Sequence, residues 1–271
     1  MPESRVVLIT GASAGFGQRA AELLAARGWR VFGTSRRPES AEARGFDMLP
    51  LDVTSDASVR ACVAEVIGRA GRIDALVNNA GQMIIAAVEE AGPEQVRGLV
   101  ETNVLGVVRM DQAVLPILRK QGGGRIVTVG SIAGLIGLPF SSLYCATKFA
   151  LEGYVAGLRS EVAGFGVHVS LVEPGTFKTR LQESMPAPAN PLPEYEAARS
   201  RAVRLSVDRA ERGPDPAQVG ALIVRILETP RPRLRYRVGP GAIAIPLALK
   251  VLPDGLREKL LRRYFRPKKR P

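Results

Sequence analysis

The chain is poor in cysteine and histidine. It has two cysteines, Cys62 and Cys145, both in segments expected to be helical, and a single histidine, His168, in an expected strand. Without a Cys/His cluster, a histidine- or thiolate-based metal centre is disfavoured, and so is a Ser-His-Asp triad. The cysteines read as small packing residues rather than as a disulfide. No internal repeat and no low-complexity tract is present, which points away from repeat and linker-like classes. The start, Met-Pro-Glu-Ser-Arg, leads into an apolar strand without an apolar signal segment, so a cytoplasmic location is expected. The apolar run from Ala242 to Leu252 is interrupted by Pro246 and Lys250 and is too short to span a bilayer.

Negative charge is scarce only in the last third of the chain. Net charge is +12, but residues 199–271 hold 19 Lys/Arg and 6 Asp/Glu, whereas residues 1–198 hold 19 and 20. The basic excess is therefore a C-terminal property, and it ends in Arg262-Arg263-Tyr264-Phe265-Arg266-Pro267-Lys268-Lys269-Arg270-Pro271. Such a tail can be solvated, or can meet nucleic acid or an anionic membrane. Solvation is the first expectation. The preceding apolar run can cap a cleft, pack at a subunit contact or lie on a membrane surface.

What the chain does contain is alternation. With 271 residues, 46% of them apolar, and 28 glycines, it can form one α/β domain with a full-sized core. Apolar strands are expected near 5–10, 30–34, 47–51, 74–78, 124–130, 167–172 and 234–239, with amphipathic helices between most of them. This order predicts a parallel, doubly wound sheet whose ligands bind beyond the carboxyl ends of the strands.

Three local patterns fall at those ends. The first strand runs into Gly11-Ala12-Ser13-Ala14-Gly15-Phe16-Gly17 and then an Ala/Leu-rich helix, so glycines and a helix N-terminus can receive a phosphate. An ordinary βα loop is the alternative. After the second strand comes Ser35-Arg36-Arg37, where guanidinium groups suit a 2′-phosphate and a carboxylate would have suited a free ribose hydroxyl. A solvated arginine pair is the alternative there. Tyr144 and Lys148 stand four apart in an expected helix and share a face, where an ammonium group is expected to pull the phenol pKa down.

Taken with Asp52-Val53 after the third strand, Asn78-Asn79-Ala80-Gly81 after the fourth, Asn103, Ser131 thirteen residues before Tyr144, Pro174-Gly175 and Thr179, the chain resembles the short-chain dehydrogenase/reductase family over roughly residues 5 to 230. The resemblance implies an α/β fold, a single Rossmann-type doubly wound parallel sheet of about seven strands flanked by helices. It would occupy residues 1–240, with a substrate lid at about 176–213 and a basic extension at 241–271 that is not an independent domain. It implies hydride transfer between a nicotinamide and a secondary alcohol, ketone or aldehyde. Ser131 would hold the substrate oxygen and Tyr144 would donate the proton. Lys148 would tune the tyrosine and bind ribose, and Asn103 would position a water.

The cofactor site implied is Thr10, Gly11, Ser13, Ala14, Gly15, Phe16, Gly17, Ser35, Arg36, Arg37, Asp52, Val53, Asn79, Ala80, Gly81, Tyr144, Lys148, Pro174, Gly175, Phe177 and Thr179, with NADP preferred over NAD and no metal. Ile132, Leu135, Leu138, Phe140, Phe177 and Leu181 are candidates for an apolar pocket wall. Val172-Glu-Pro-Gly175, Ser35-Arg36-Arg37 and a C-terminal segment beyond the last strand look most like the hydroxysteroid and retinol dehydrogenase side of the family. A bulky apolar small-molecule substrate, no nucleic acid, possible membrane-surface contact and a homo-oligomer are the accompanying expectations. Two other classes stay open: a cofactor-binding regulator without turnover, against which the intact relay speaks, and a membrane or nucleic-acid module acting through the basic C-terminus.

Overall fold

A computed structural model describes residues 4–38, 45–179, 181 and 185–265. Residues 180 and 182–184, in the stretch expected to be a lid, and the end of the basic tail, 266–271, lie outside the described residues. Seven strands, β1 (Val6–Ile9), β2 (Arg30–Ser35), β3 (Asp47–Pro50), β4 (Ala75–Asn78), β5 (Gly124–Val129), β6 (Val167–Pro174) and β7 (Arg235–Val238), form one sheet in the order β3-β2-β1-β4-β5-β6-β7. Every pairing is parallel. The order reverses between β1 and β4, which opens a crevice at their carboxyl ends.

The strands read as unbroken apolar runs because both faces of the sheet are covered. In β1, Val6 and Leu8 point to one side, where they pack with Val59, Val63 and Val66 of α2 (Asp56–Ala70), Met110, Val114 and Leu118 of α4 (Gly106–Lys120), and Val155 and Leu158 of α5 (Ser142–Val162). Val7 and Ile9 point to the other, against Ala20, Ala21 and Leu24 of α1 (Gly15–Ala25) and Ile223 and Ile226 of α7 (Ala217–Glu228). Each fully buried aliphatic side chain contributes roughly 1.5–3 kcal/mol. Helix α2 starts at Ser55, whose hydroxyl accepts from the Ser58 N–H, and stops at Gly71 in the left-handed region.

The short helix α3 (Pro93–Val100) runs into α4 through a π-helical turn, Glu101–Leu105. After β6, a loop leads to the long helix α6 (Pro193–Glu211), and after β7 two further helices follow, α8 (Ala244–Val251) and α9 (Asp254–Phe265). Among the described residues no helix is long and apolar enough to cross a membrane.

Candidate active site

The carboxyl ends of the strands surround a cleft of about 1500 Å³. It is lined at one end by Ser35, Arg36, Arg37, Asp52 and Val53, in the middle by Gly11, Ser13, Ala14, Gly15, Phe16, Asn79, Ala80 and Gly81, and at the other end by Tyr144, Lys148, Thr179 and Leu181. Arg36 and Arg37 are exposed at its rim. The Asp52 carboxyl is held below its ordinary value, first by the Thr54 N–H at 2.9 Å and further by the Thr54 hydroxyl, with Arg36 and Arg109 adding attraction.

The floor of the cleft is stitched rather than loose. The Thr10 hydroxyl accepts from the N–H groups of Asn79 and Ala80, both at 2.9 Å, while Asn79 Nδ2 donates to the carbonyls of Thr10 and Gly11. This brings the glycine turn hard against the end of β4. A Cβ on Gly17 would stand 2.5 Å from Asn79 Nδ2 and 2.6 Å from the Gly11 carbonyl, and Gly11 itself has φ +67°. Only glycine satisfies both positions. Thr10 and Gly17 therefore shape the turn and do not line the cleft.

Pro174 and Gly175 also act as shape. Pro174 is buried at the end of β6, and a Cβ on Gly175 would lie 1.9 Å from the Pro240 carbonyl. Phe177 departs from what the sequence suggests. Its ring is buried in the core, edge-on to Phe16 with centroids 5.5 Å apart, and Gly239 leaves the space it fills. That ring packs the sheet instead of facing substrate or cofactor. Nearby Thr179 does reach the turn, its methyl 3.7 Å from where a Gly15 Cβ would be.

At the far end, helix α5 presents Tyr144 and Lys148 on one face. Lys148 is buried and its Nζ donates to the Val129 carbonyl at 3.0 Å, beside the end of β5. Ser131 follows that strand. Its Oγ accepts from the Ala133 N–H at 3.0 Å, and its side chain is hydrogen-bonded to Tyr144. Asn103 lies in the π-helical turn, where its Oδ1 accepts from the Gln82 N–H at 2.7 Å and its Nδ2 donates to the Gln82 carbonyl and to Thr147 Oγ1. Its amide thus ties the Gly81–Gln82 segment to α5. Gly81 lets the parts converge: a Cβ there would be 3.4 Å from Asn103 Oδ1 and 4.0 Å from Lys148 Nζ.

The electrostatics of the pair differ from the sequence expectation. Burial pushes the Tyr144 phenol up to about 12, opposed by the Ser131 hydrogen bond, and burial pushes Lys148 down to about 8. The ammonium lies 5.8 Å from the tyrosine ring centroid. Desolvation outweighs the Ser131 hydrogen bond, so the phenol is neutral and protonated at pH 7. Such a group is a proton donor.

Beyond Ser131 the chain turns apolar. Ile132, Leu135, Leu138 and Phe140 are all partly buried. Phe140 has φ +62°, an unusual backbone for an aromatic residue, and is held there by the Ala86 N–H donating to its carbonyl and by edge contact with Tyr195 of α6 at 6.1 Å. Sequence reasoning missed the tie between the loop after β4 and the segment around α6: Glu90, in a 3₁₀ turn after β4, is fully buried and paired with Arg199 of α6, and Gln95 accepts from the Ala189 N–H at 2.9 Å. Gln82 and Thr102, joined by a 3.0 Å hydrogen bond, also line the cleft without having been anticipated.

Comparison with known proteins agrees with this geometry. The family described as short chain dehydrogenase matches residues 5–190. A 3-ketodihydrosphingosine reductase from Bacteroides thetaiotaomicron is 37% identical over 97% of this chain and 98% of its own length. The 17-beta-hydroxysteroid dehydrogenase type 1 of Homo sapiens is 35% identical over 85% of this chain and 76% of its own. A short-chain dehydrogenase structure from Streptomyces avermitilis superposes with a TM-score of 0.81 at 36% identity, covering 95% of each chain.

Proposed function

The chain belongs to the short-chain dehydrogenase family, and from that premise we propose that it is an NADP(H)-dependent oxidoreductase of bulky, apolar secondary alcohols and ketones or aldehydes. It is a hydride-transfer oxidoreductase acting on CH–OH groups. The observation that carries the finer reading is one continuous cleft with a guanidinium pair at one end and Ser131, Tyr144 and Lys148 converging at the other.

The residues present fit a dinucleotide. The Gly11–Gly17 turn at the N-terminus of α1 would hold the pyrophosphate, and Ser35, Arg36 and Arg37 the 2′-phosphate. Asp52 and Val53 would border the adenine, Asn79, Ala80 and Gly81 the floor beneath the ribose, and Thr179 the carboxamide. Bound there, the nicotinamide supplies or accepts the hydride.

The chain's own residues manage the proton and the developing charge. In reduction, the carbonyl oxygen gains negative charge, which the Ser131 hydroxyl stabilises, and Tyr144 Oη gives up its proton to that oxygen. Lys148 spends one of its three N–H donors on the Val129 carbonyl and would have the other two left for ribose hydroxyls and Tyr144. Asn103 acts by position, holding the Gly81–Gln82 segment beside the lysine. Leu135, Leu138 and Phe140, which would wall the substrate end, offer little to grip a sugar or an acid, and relatives named 3-ketodihydrosphingosine reductase and 17-beta-hydroxysteroid dehydrogenase type 1 support the same leaning.

A cytoplasmic homo-oligomer is part of the reading, to be checked by fractionation and light scattering. The direct test follows nicotinamide absorbance across ketones and secondary alcohols, from short to polycyclic or long-chain, with both cofactors. Catalytic efficiency should climb with apolar size, by up to ~0.8 kcal/mol of transition-state binding per buried methylene. A small polar ketone or a sugar as best substrate would overturn the substrate class and leave the oxidoreductase standing.

A further inference from the structure

The last two helices carry large apolar side chains in water. Ile243 is 77% exposed, Leu247 61%, Val251 71%, Leu256 44% and Leu260 50%. Singly, exposed apolar residues mean nothing, but these are arranged. Ile243, Leu247 and Val251 are spaced i, i+4, i+8 along α8 and its N-cap, and exposed Lys250, at i+7, falls in the same stripe. Helix α9 repeats the pattern: Leu256 and Leu260 form the stripe, with exposed Lys259 at i+3 and Arg263 at i+7 on the same side.

The acidic residues are kept off these stripes. Glu258, at i+2 from Leu256, projects from the opposite side and is paired with Arg262 at 2.6 Å, while Asp254 is paired with Arg257 at 2.9 Å. The cations that remain beside the apolar stripes, Lys250, Lys259 and Arg263, have long stems that can lie along hydrocarbon while the charged heads reach phosphate. The sequence then adds Arg266, Lys268, Lys269 and Arg270.

We propose that the α8–α9 segment is a peripheral docking surface for anionic phospholipid bilayers, with the leucine, isoleucine and valine stripe entering the headgroup boundary and the lysines and arginine contacting lipid phosphates. Charge decides between occupants. A second copy would bring the same cationic stripe against itself and be repelled, whereas an anionic lipid surface attracts every one of these groups. The stripes are also separate from the groups that bind cofactor, so the proposal does not depend on which substrate is turned over. They are close to the cleft: Ile245 of α8 and Ile132, the neighbour of Ser131, both approach Gly241, at 3.0 and 3.7 Å from its Cβ position. Docking would therefore set the substrate end of the cleft beside the lipid surface.

The test uses the full-length protein and sedimentation with vesicles of phosphatidylcholine alone or phosphatidylcholine mixed with phosphatidylglycerol. Affinity for the mixed vesicles should exceed that for the neutral ones by about tenfold or more and should fall with added salt. Leu247→Asp with Val251→Asp should abolish it, and Lys250→Glu with Lys259→Glu and Arg263→Glu should lower it by at least about tenfold, both without change in Tm. Equal or absent binding to both vesicles overturns the proposal. So does a native oligomer that the Leu247→Asp, Val251→Asp variant converts to monomer, which would assign the stripe to a second copy. Binding to duplex DNA without binding to vesicles would assign the charge to nucleic acid and overturn it equally.

Discussion

The carboxylate of Glu90 and the guanidinium of Arg199 form an ion pair that joins the loop after β4 to helix α6, and Glu90 is wholly out of water. The same carboxylate accepts from the N–H groups of Leu192 at 2.9 Å and Ala87 at 3.0 Å, and the Glu90 carbonyl accepts from Asn190. One side chain thus fastens the segment leading into α6, which we propose is a substrate lid. Glu90→Ala should release it at a cost of roughly 3 kcal/mol, at the low end for a broken buried pair because Arg199 can still reach water. Proteolysis between residues 185 and 192 should quicken, and KM for substrate should rise several-fold while cofactor affinity holds. An unchanged proteolysis rate would show that the lid is fastened elsewhere.

Tyr144→Phe deletes one hydroxyl and should lower turnover by roughly 10²–10⁴-fold, the usual worth of a placed proton donor, with NADPH affinity nearly unchanged. Lys148→Ala should damage both, since in the proposed mechanism that side chain, buried in the cleft and anchored at Val129, would also hold the ribose. Stopped-flow turnover paired with cofactor titration separates the two. Near-native turnover in Tyr144→Phe would remove the relay from the mechanism.

Replacing both Arg36 and Arg37 by alanine should erase a preference for NADPH over NADH that we expect to exceed tenfold, or ~1.4 kcal/mol. Both guanidinium groups line the cleft and are exposed, so their loss should leave the fold intact. Isothermal titration with the two cofactors reads the effect directly. Equal affinities in the unmodified protein would mean that the arginines are merely solvated.

Much of this was legible in advance because buried parallel strands leave an uninterrupted apolar signature. All seven expected strands coincide with β1–β7 to within a residue or two, and the glycine turn, Tyr144 and Lys148 fall at the predicted cleft. What escaped depends on long-range packing. Glu90 follows Glu89 and reads as solvated surface; only its meeting with Arg199, 109 positions on, makes it an anchor. Phe177 reads as a pocket wall because it sits between two cleft motifs, yet the space beside Gly239 draws its ring into the core. The Tyr144 shift runs opposite to expectation for the same reason: spacing reveals the neighbouring ammonium but not the depth of burial.

Asp111 offers a test of burial on its own. It lies on α4 with no exposed surface, its Oδ1 accepting from Asn78 Nδ2 at 2.8 Å and its Oδ2 from the Tyr154 hydroxyl at 2.9 Å. Burial pushes its carboxyl up to about 7, against the pull of both donors. A carboxyl whose pKa is higher in the folded than in the unfolded chain keeps its proton longer when folded. Its contribution to stability is therefore full below about pH 4, declines as pH rises, and is lost once pH passes the folded value near 7. Asp111→Asn removes the titration while preserving shape. It can also be accommodated, because Asn78 Oδ1 is buried without a hydrogen-bond partner among the described residues and can accept from a new amide when the Asn78 side chain turns. The variant should therefore gain stability relative to the parent by roughly 2–3 kcal/mol between pH 5 and pH 8, read as diverging urea midpoints across that range. A gap between the two proteins that stays constant with pH would show that Asp111 is ionised in the folded protein throughout, held so by Asn78 and Tyr154.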